Sequence, residues 1–202
     1  MSSSPFPSHD QSPAIPNDPP PGYPDLGPEP LGEIVLLRGR TVPTVVVRAD
    51  DVPMATISGL FDAVFGRAFP AAFAQGLQPA GPAFALYTRL TDGPDAMADV
   101  EIGFPLDGPL LEQLDDDPVE VEGLRVVASA LPAGVVAVTS HVGGFDGLGE
   151  AWGRFLGEIG AKGMTPGIPF WESYVTEPSP DMDPATLRTD LYCLVRTPEE
   201  AA

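Results

Sequence analysis

The sequence predicts an α+β fold in which two pseudo-symmetric strand–helix–strand–strand repeats share an antiparallel sheet, with a central ligand cleft. The first observation is an internal repeat: residues 81–89 (GPAFALYTR) resemble residues 168–176 (IPFWESYVT), and residues 59–69 resemble residues 147–156. The second is that each copy runs strand, strand, helix, strand, strand, an order typical of a sheet with its helices on one side. Two copies are too few for a solenoid, so we expect one domain with a concave surface where the halves meet.

Four strands and one helix are predicted in the first half. Residues 58–75 carry apolar side chains at helical spacing, and Pro70 inside this pattern predicts a kink or an early end of the helix. Pro43 separates the first two strands, because proline cannot donate a hydrogen bond to a neighbouring strand. The four strands are residues 34–37, 44–48, 83–90 and 98–104.

The second half repeats this order after an acidic link at residues 112–120. Asp146 is predicted to cap a helix that continues to about residue 161 and ends at Gly163. The first two strands of this half flank a Pro-Ala-Gly sequence, which predicts that they form a hairpin. The predicted strands are residues 124–131, 135–141, 170–176 and 189–195.

Composition divides the chain into a tail at residues 1–32 and a domain at residues 33–197. The tail is rich in Pro and Ser and poor in large aliphatic residues, so we expect it to be disordered. It lacks the basic start and apolar run of a signal peptide. No apolar stretch approaches the ~20 residues of a membrane helix. The single cysteine, Cys193, excludes an internal disulfide, and we expect a cytoplasmic location.

The chain is strongly acidic, with a formal net charge of -19 and one lysine, Lys162. Proteins that bind nucleic acid carry a basic surface that displaces counterions, so direct binding to nucleic acid is not expected. An acidic surface attracts cations. A compositional bias of the source organism accounts for the charge equally well, so the charge alone does not identify a ligand.

The strand that begins at Phe170 carries the strongest functional signal, because an acidic residue stands among large aromatic side chains. Side chains alternate along a strand, so Phe170, Glu172 and Tyr174 share one face while Trp171 points to the other. A carboxylate among rings is costly unless it is paired or neutralised. A cationic ligand, or a proton to be transferred, would account for it; a solvent-exposed glutamate on an open sheet face is the competing interpretation. The first copy has Ala85 at the matching position.

The sequence offers no metal site and no cofactor-binding motif. His9 and His141 are the two histidines, and with one cysteine they cannot form a usual zinc site. The acidic run at residues 115–117 fits a solvated link better than a calcium loop. A catalytic triad built on Ser140 and His141 is disfavoured, because adjacent strand residues face opposite ways.

Together these segments resemble the GyrI-like small-molecule-binding family, which also forms the effector-binding domain of AraC- and MerR-type transcription regulators. The similarity covers about residues 34–195 and lies in the order and spacing of the segments, since no one of them is specific. Nothing before residue 33 resembles a helix-turn-helix, so a stand-alone member is expected. The matching segments are residues 87–89 (YTR), 99–105 (DVEIGFP), 131–134 (LPAG), 138–143 (VTSHVG), 147–152 (GLGEAW) and 171–174 (WESY).

The resemblance implies a central aromatic cleft with Glu172 at its base, facing cationic or polar groups of a ligand. Aromatic ring faces attract a cation further, by roughly 0.5 to 2 kcal/mol each. By position, the candidate neighbours of Glu172 are Tyr87, Phe104, His141, Phe145, Trp152, Trp171 and Tyr192.

Three functions follow from the resemblance to stand-alone members. The first is binding of aromatic or cationic small molecules, as in drug or toxin resistance, with an ionised Glu172 against the ligand charge. The second is hydrolysis of cyclopropanoid DNA-alkylating compounds, in which an apolar pocket raises the pKa of Glu172 and suits it to general acid–base catalysis. The third is an acidic interaction protein that contacts and modulates gyrase.

Overall fold

The structure, a computed structural model, describes residues 24–106, 119–177 and 182–196. The strands within these residues are β1 (Val35–Gly39), β2 (Val42–Pro53), β3 (Ala83–Leu90), β4 (Met97–Pro105), β5 (Val119–Val121), β6 (Leu124–Leu131), β7 (Gly134–Val142), β8 (Thr165–Tyr174) and β9 (Arg188–Arg196). The helices are α1 (Ile57–Ala63), α2 (Phe69–Ala74) and α3 (Leu148–Ala161). Each predicted strand and helix is present; β3 and β6 have the predicted ends, the other elements have shifted ends, and β5 is additional. Most of the predicted acidic link lies outside the described residues.

All nine strands of the described part form one antiparallel sheet, in the order β1-β7-β9-β8-β3-β4-β2-β6-β5. The central six strands have the predicted two-fold symmetry, because β7, β9 and β8 of the second half correspond to β2, β4 and β3 of the first. In the central β3–β8 pair, Ala85 lies directly opposite Glu172. The two positions matched by the sequence repeat therefore meet at the pseudo-two-fold axis, and the predicted α+β class is confirmed.

The outer strands are exchanged between the halves, so the predicted hairpin of β6 and β7 is wrong. β6 pairs with β2, and β7 pairs with β1. Only residues 132 and 133 separate β6 from β7, so the two strand ends lie close in space although the strands are far apart in the sheet order. The sheet must therefore curl until its two ends approach each other. A short link usually indicates a hairpin, but in a curled sheet the same link joins two strands that do not pair with each other.

Close packing of β4 against β2 accompanies this curvature. Gly103 of β4 pairs with Val46 of β2, and a Cβ atom at Gly103 would lie 1.9 Å from the carbonyl oxygen of Val45. Only glycine fits so close an approach of two backbones.

The curled sheet buries a different core on each face. On the face without helices, Val46, Phe84, Trp171 and Tyr192 form one core. On the other face, α1 and α2 cover the first half, and α3 covers the second. No helix among the described residues has the length and apolar character needed to cross a membrane.

Both helical segments begin or bend differently from a simple α-helix. A π-helical turn (Val64–Ala68) joins α1 to α2 and ends two residues before Pro70. The proline ring has no N–H and cannot fit against the carbonyl of an ordinary preceding turn. The interruption that Pro70 predicts in this helix is therefore a π-helical turn, after which the chain continues as α2. Asp146 lies inside a 3-10 turn (Phe145–Gly147) before α3, and neither this turn nor α3 has a side-chain cap. The predicted Asp146 cap is therefore wrong.

Residues 24–32, which composition assigns to the tail, lie against the folded domain. Leu26 and Leu31 pack on the core of the helix-free face. The Arg188 guanidinium donates to two carbonyl oxygens of this segment, each at 3.1 Å. Residues 24–32 are therefore packed against the domain, and residues 1–23 lie outside the described residues.

A buried ion pair positions Arg188 for this contact. Nε and Nη2 of Arg188 each donate to a different oxygen of Asp190, both at 2.9 Å. Asp190 also accepts from Ser140 Oγ at 2.6 Å. The Arg188 and Asp190 side chains are 7% and 3% exposed, so each charge depends on the other for compensation.

We expect Asp190→Ala to lower the free energy of unfolding by about 3 to 5 kcal/mol, because Arg188 would stay buried without its counter-charge. The matched control is Glu150→Ala, which breaks the exposed pair of Glu150 with Arg154 on α3 and should cost less than about 1 kcal/mol. Urea unfolding followed by circular dichroism measures both variants. Equal losses would contradict the role of the buried pair.

Candidate functional site

An open cleft lies above the β3–β8 seam, between α1 and α2 on one side and α3 on the other. Its volume is about 2110 Å³, more than the roughly 300 to 1,000 Å³ of a pocket for a drug-sized ligand. The side chains that line the cleft are mostly apolar and aromatic. Those nearest the seam are Tyr87, Phe145, Trp152, Phe170, Glu172 and Tyr174.

Glu172 is buried at the base of this cleft, with 6% of the residue exposed. It lies on β8 between β3 and β9, so strands flank it on both sides. Its Oε1 accepts from Trp152 Nε1 at 2.7 Å, and its Oε2 accepts from the Tyr174 hydroxyl at 2.8 Å. Both donors are neutral, and no Arg or Lys in the described ranges forms an ion pair with it. The competing interpretation of an exposed glutamate is therefore wrong.

The ionisable groups at the base of the cleft influence one another. Burial raises the pKa of Glu172, while the hydrogen bonds from Trp152 and Tyr174 and the nearby His141 act in the opposite direction. Burial, and then the charge of Glu172, raise the pKa of both Tyr87 and Tyr174. Both phenols therefore remain protonated at neutral pH, and the Tyr174 hydroxyl keeps its hydrogen bond to Glu172.

Aromatic rings from both halves pack around the carboxylate. Tyr87 of β3 stacks on Phe170 of β8, with centroids 5.1 Å apart and planes at 14°. Trp152 of α3 meets Phe170 edge-on at 4.8 Å. These contacts fix the Trp152 indole, so its N–H is already directed at Glu172 before any ligand binds.

Tyr174 is held by a second set of rings. Phe61 of α1 and Phe145, just before α3, both meet Tyr174 edge-on, with centroids at 6.0 and 5.7 Å. Phe145 is 46% exposed, so it forms an accessible part of the cleft wall. The two helical layers therefore contact the same tyrosine from opposite sides of the cleft.

The structure brings together most of the residues predicted for the site. His141 does not line the cleft; its charge still acts on Glu172, and its Nε2 lies 3.1 Å from the Gly144 carbonyl oxygen. The predicted residues that do line the cleft are Glu172, Tyr87, Phe104, Phe145 and Trp152.

Trp171 and Tyr192 lie on the opposite face of the sheet, which corrects their assignment to the cleft. Their rings stack at 5.0 Å and 7° within the core of the helix-free face. Trp171 directly precedes Glu172 on β8, and Tyr192 is the residue of β9 that pairs with Trp171. Strand alternation therefore directs both rings away from Glu172.

Three phenylalanines on the first helical segment also line the cleft and were missed as site residues. Phe61, Phe65 and Phe73 are only partly buried and contribute to the cleft wall, and the buried Phe69 lines it as well. Sequence reasoning assigned apolar residues of this helix to the core. The available signal was the recurrence of phenylalanine every fourth residue from Phe61 to Phe73.

The family model of the GyrI-like small molecule binding domain matches residues 44–196. The chain belongs to this family. No curated protein sequence matches the chain closely enough to count as a relative.

Solved structures share the fold of this GyrI-like domain at low sequence identity. The C-terminal domain of EcmrR has a TM-score of 0.62 at 16% identity, over 82% of this chain and 98% of that one. SAV2435 bound to tetraphenylphosphonium has a TM-score of 0.58 at 12% identity, over 81% and 94%. An uncharacterized conserved protein from Listeria innocua has a TM-score of 0.54 at 15% identity, over 83% and 94%. These similarities establish the fold.

Because the Glu172 carboxylate of this GyrI-like domain is buried, we expect the Glu172→Gln variant to have a larger free energy of unfolding than the wild type at neutral pH. Because burial raises the pKa of Glu172 in the folded state, ionisation opposes folding by about 1.4 kcal/mol for each unit of that rise. Gln keeps both contacts, since its oxygen accepts from Trp152 and its amide donates to Tyr174.

The gain is expected to depend on pH in one direction. It is absent below the pKa of an unfolded glutamate, where both states are protonated, and it grows as the pH rises through the folded pKa. Urea unfolding from acidic to neutral pH measures it, with Glu158→Gln on the exposed side of α3 as the matched control. A destabilised Glu172→Gln variant, or a gain that does not change with pH, would refute this account.

Proposed function

We propose that the cleft binds a bulky aromatic or otherwise apolar cation, with Glu172 ionised against the ligand charge. The observation that carries this proposal is a buried carboxylate whose two oxygens are held by neutral donors and which has no Arg or Lys partner in the described chain. A buried charge without compensation is costly. An organic cation offsets that cost, and the rings of Tyr87, Trp152 and Phe170 add attraction to it.

An organic cation fits this cleft better than a metal ion does. Calcium and magnesium need several oxygen ligands, and no group of three or more His, Cys, Asp or Glu residues in the described ranges is placed to hold a metal. The cleft is large and mostly apolar, so it can bury ring systems. The structure of SAV2435 with tetraphenylphosphonium supports the proposal, because that fold neighbour holds an aromatic cation.

Such binding suits a protein that sequesters or senses a toxic compound, as in drug or toxin resistance. The charge at Glu172 selects for a cation, and the wide aromatic cleft tolerates different ring systems. The predicted gyrase contact remains a separate prediction; it would use the acidic exterior and would not depend on Glu172.

The first test compares tetraphenylphosphonium with neutral triphenylphosphine oxide by isothermal titration calorimetry. We expect Glu172→Gln to weaken binding of the cation by at least about tenfold, or ~1.4 kcal/mol, and to leave the neutral compound unaffected. Wild-type affinity for the cation should fall as the pH drops through the pKa of Glu172, since protonation removes the charge. Equal effects on both compounds would count against a charge-selective site.

Two glycines of α3 provide a steric test of the same site. Gly149 lines the cleft and Gly157 does not, and a Cβ atom at either position meets nothing within 4 Å. We expect Gly149→Trp to block tetraphenylphosphonium and Gly157→Trp to bind it like the wild type. If Gly149→Trp bound the cation normally, the ligand would lie elsewhere.

A second candidate function is hydrolysis of a strained electrophile, favoured by the raised pKa of Glu172 beside two protonated tyrosines. Glu172 would accept a proton from water as the water oxygen bonds to a cyclopropane carbon, and the C–C bond that breaks would leave its electron pair on the rest of the same molecule, where Tyr87 would donate a hydrogen bond to the developing negative charge.

Incubation with a cyclopropanoid DNA-alkylating compound, followed by mass spectrometry, tests this reaction. A water adduct formed by the wild type and not by Glu172→Gln would establish hydrolysis. Binding without an adduct would leave ligand binding as the function.

A further inference from the structure

Four phenylalanines form a continuous ladder along the first helical segment. Phe61, Phe65, Phe69 and Phe73 follow one another at four-residue spacing, with neighbouring ring centroids 6.1, 6.3 and 5.7 Å apart. All four line the cleft. Phe69 is buried, with 1% exposed, whereas the other three keep part of their surface accessible.

The π-helical turn keeps this ladder on the side of the cleft. A step of four residues overshoots an α-helical turn of 3.6 residues, so a ladder of this spacing rotates away from a fixed face in a straight α-helix. A π turn is wider, and the same step undershoots it. The turn at Val64–Ala68 therefore brings Phe69 and Phe73 back toward the face that Phe61 and Phe65 occupy.

The ladder begins at the charged base of the cleft and ends in an apolar region. Its first ring, Phe61, meets Tyr174, whose hydroxyl donates to Glu172. Phe65, Phe69 and Phe73 each meet Phe104 of β4, at 5.8, 4.9 and 5.3 Å. Phe73 lies twelve residues after Phe61 along this segment, so the ladder extends about three helical turns away from Tyr174.

The space beside the ladder is open at its middle. Gly66 lines the cleft, and a Cβ atom there would meet nothing within 4 Å. The rest of this side is largely apolar; Asp62 and Gln78 also line it, and no basic side chain of α1 or α2 does. Further apolar lining on this side comes from Met54, Ile57, Pro70, Ala74, Leu77, Pro79, Ala83 and Leu90.

We infer that this ladder is a second, apolar subsite that takes the unbranched tail of an elongated cationic amphiphile whose head group lies at Glu172. The inference rests on the proposed function, since it assigns the cation to Glu172, and adds that residues of α1 and α2 select ligands by the length of their uncharged part. A compact cation occupies the base of the cleft alone, and an amphiphile also fills the space beside the ladder.

The test uses alkyltrimethylammonium ions of increasing chain length, each below its micelle-forming concentration, with calorimetry as the measurement. For the wild type, each added methylene should lower Kd by about fourfold until the tail reaches the end of the ladder. In Gly66→Leu, whose side chain fills the open middle, this dependence on length should stop at a shorter tail.

Gly59→Leu is the matched control. Gly59 lies on α1, does not line the cleft, and has nothing within 4 Å of an added Cβ atom. It should keep the full dependence on length. If Gly66→Leu also kept the full dependence on chain length, the ladder would not be a tail subsite. The same would follow if the wild type bound tetraphenylphosphonium but showed no dependence on chain length. In both cases the proposed function would stand. If the wild type bound neither tetraphenylphosphonium nor any homologue, both proposals would fail.

Discussion

The antiparallel pairing of β3 with β8 is the contact on which the rest of the molecule depends. It joins two halves that each carry their own helices and core, so the helices flank a cleft instead of meeting over one core. It also encloses Glu172 between hydrogen-bonded strands on both sides. The location of the cleft and the burial of its carboxylate are therefore two results of the same strand pairing.

The site keeps an acidic group whose ionisation burial disfavours. An indole and a phenol hold the carboxylate in place, but neither supplies a positive charge, and the carboxylate itself is buried. Proteins retain such costly groups at positions where a ligand or a reaction needs them. The aromatic contacts of Trp152 and Tyr174 mean that the donors are oriented in advance, so a ligand does not have to pay the entropy of arranging them.

Sequence reasoning succeeded where local rules control the structure. Strand alternation placed Phe170, Glu172 and Tyr174 on one face, and the internal repeat matched Ala85 to Glu172, which the structure finds opposite each other. It failed where distant segments decide. The pairing partners of β6 and β7 depend on how the whole sheet curls. The packing of residues 24–32 on the domain depends on Arg188, which lies far along the chain. Helical spacing identified an apolar face but could not show that this face borders a cleft.

Because Ala85 faces Glu172 across the central strand pair, the cleft has one carboxylate at its pseudo-two-fold axis and not two. Two carboxylates at these facing positions would repel each other, so a duplicated protein of this shape can keep its acid in one half only. The fold is approximately two-fold symmetric, but its buried carboxylate belongs to one half only. Under the proposed function, a molecule with a charged end and a neutral end therefore has one favoured orientation instead of two equivalent ones, and the expected stoichiometry is one ligand per chain.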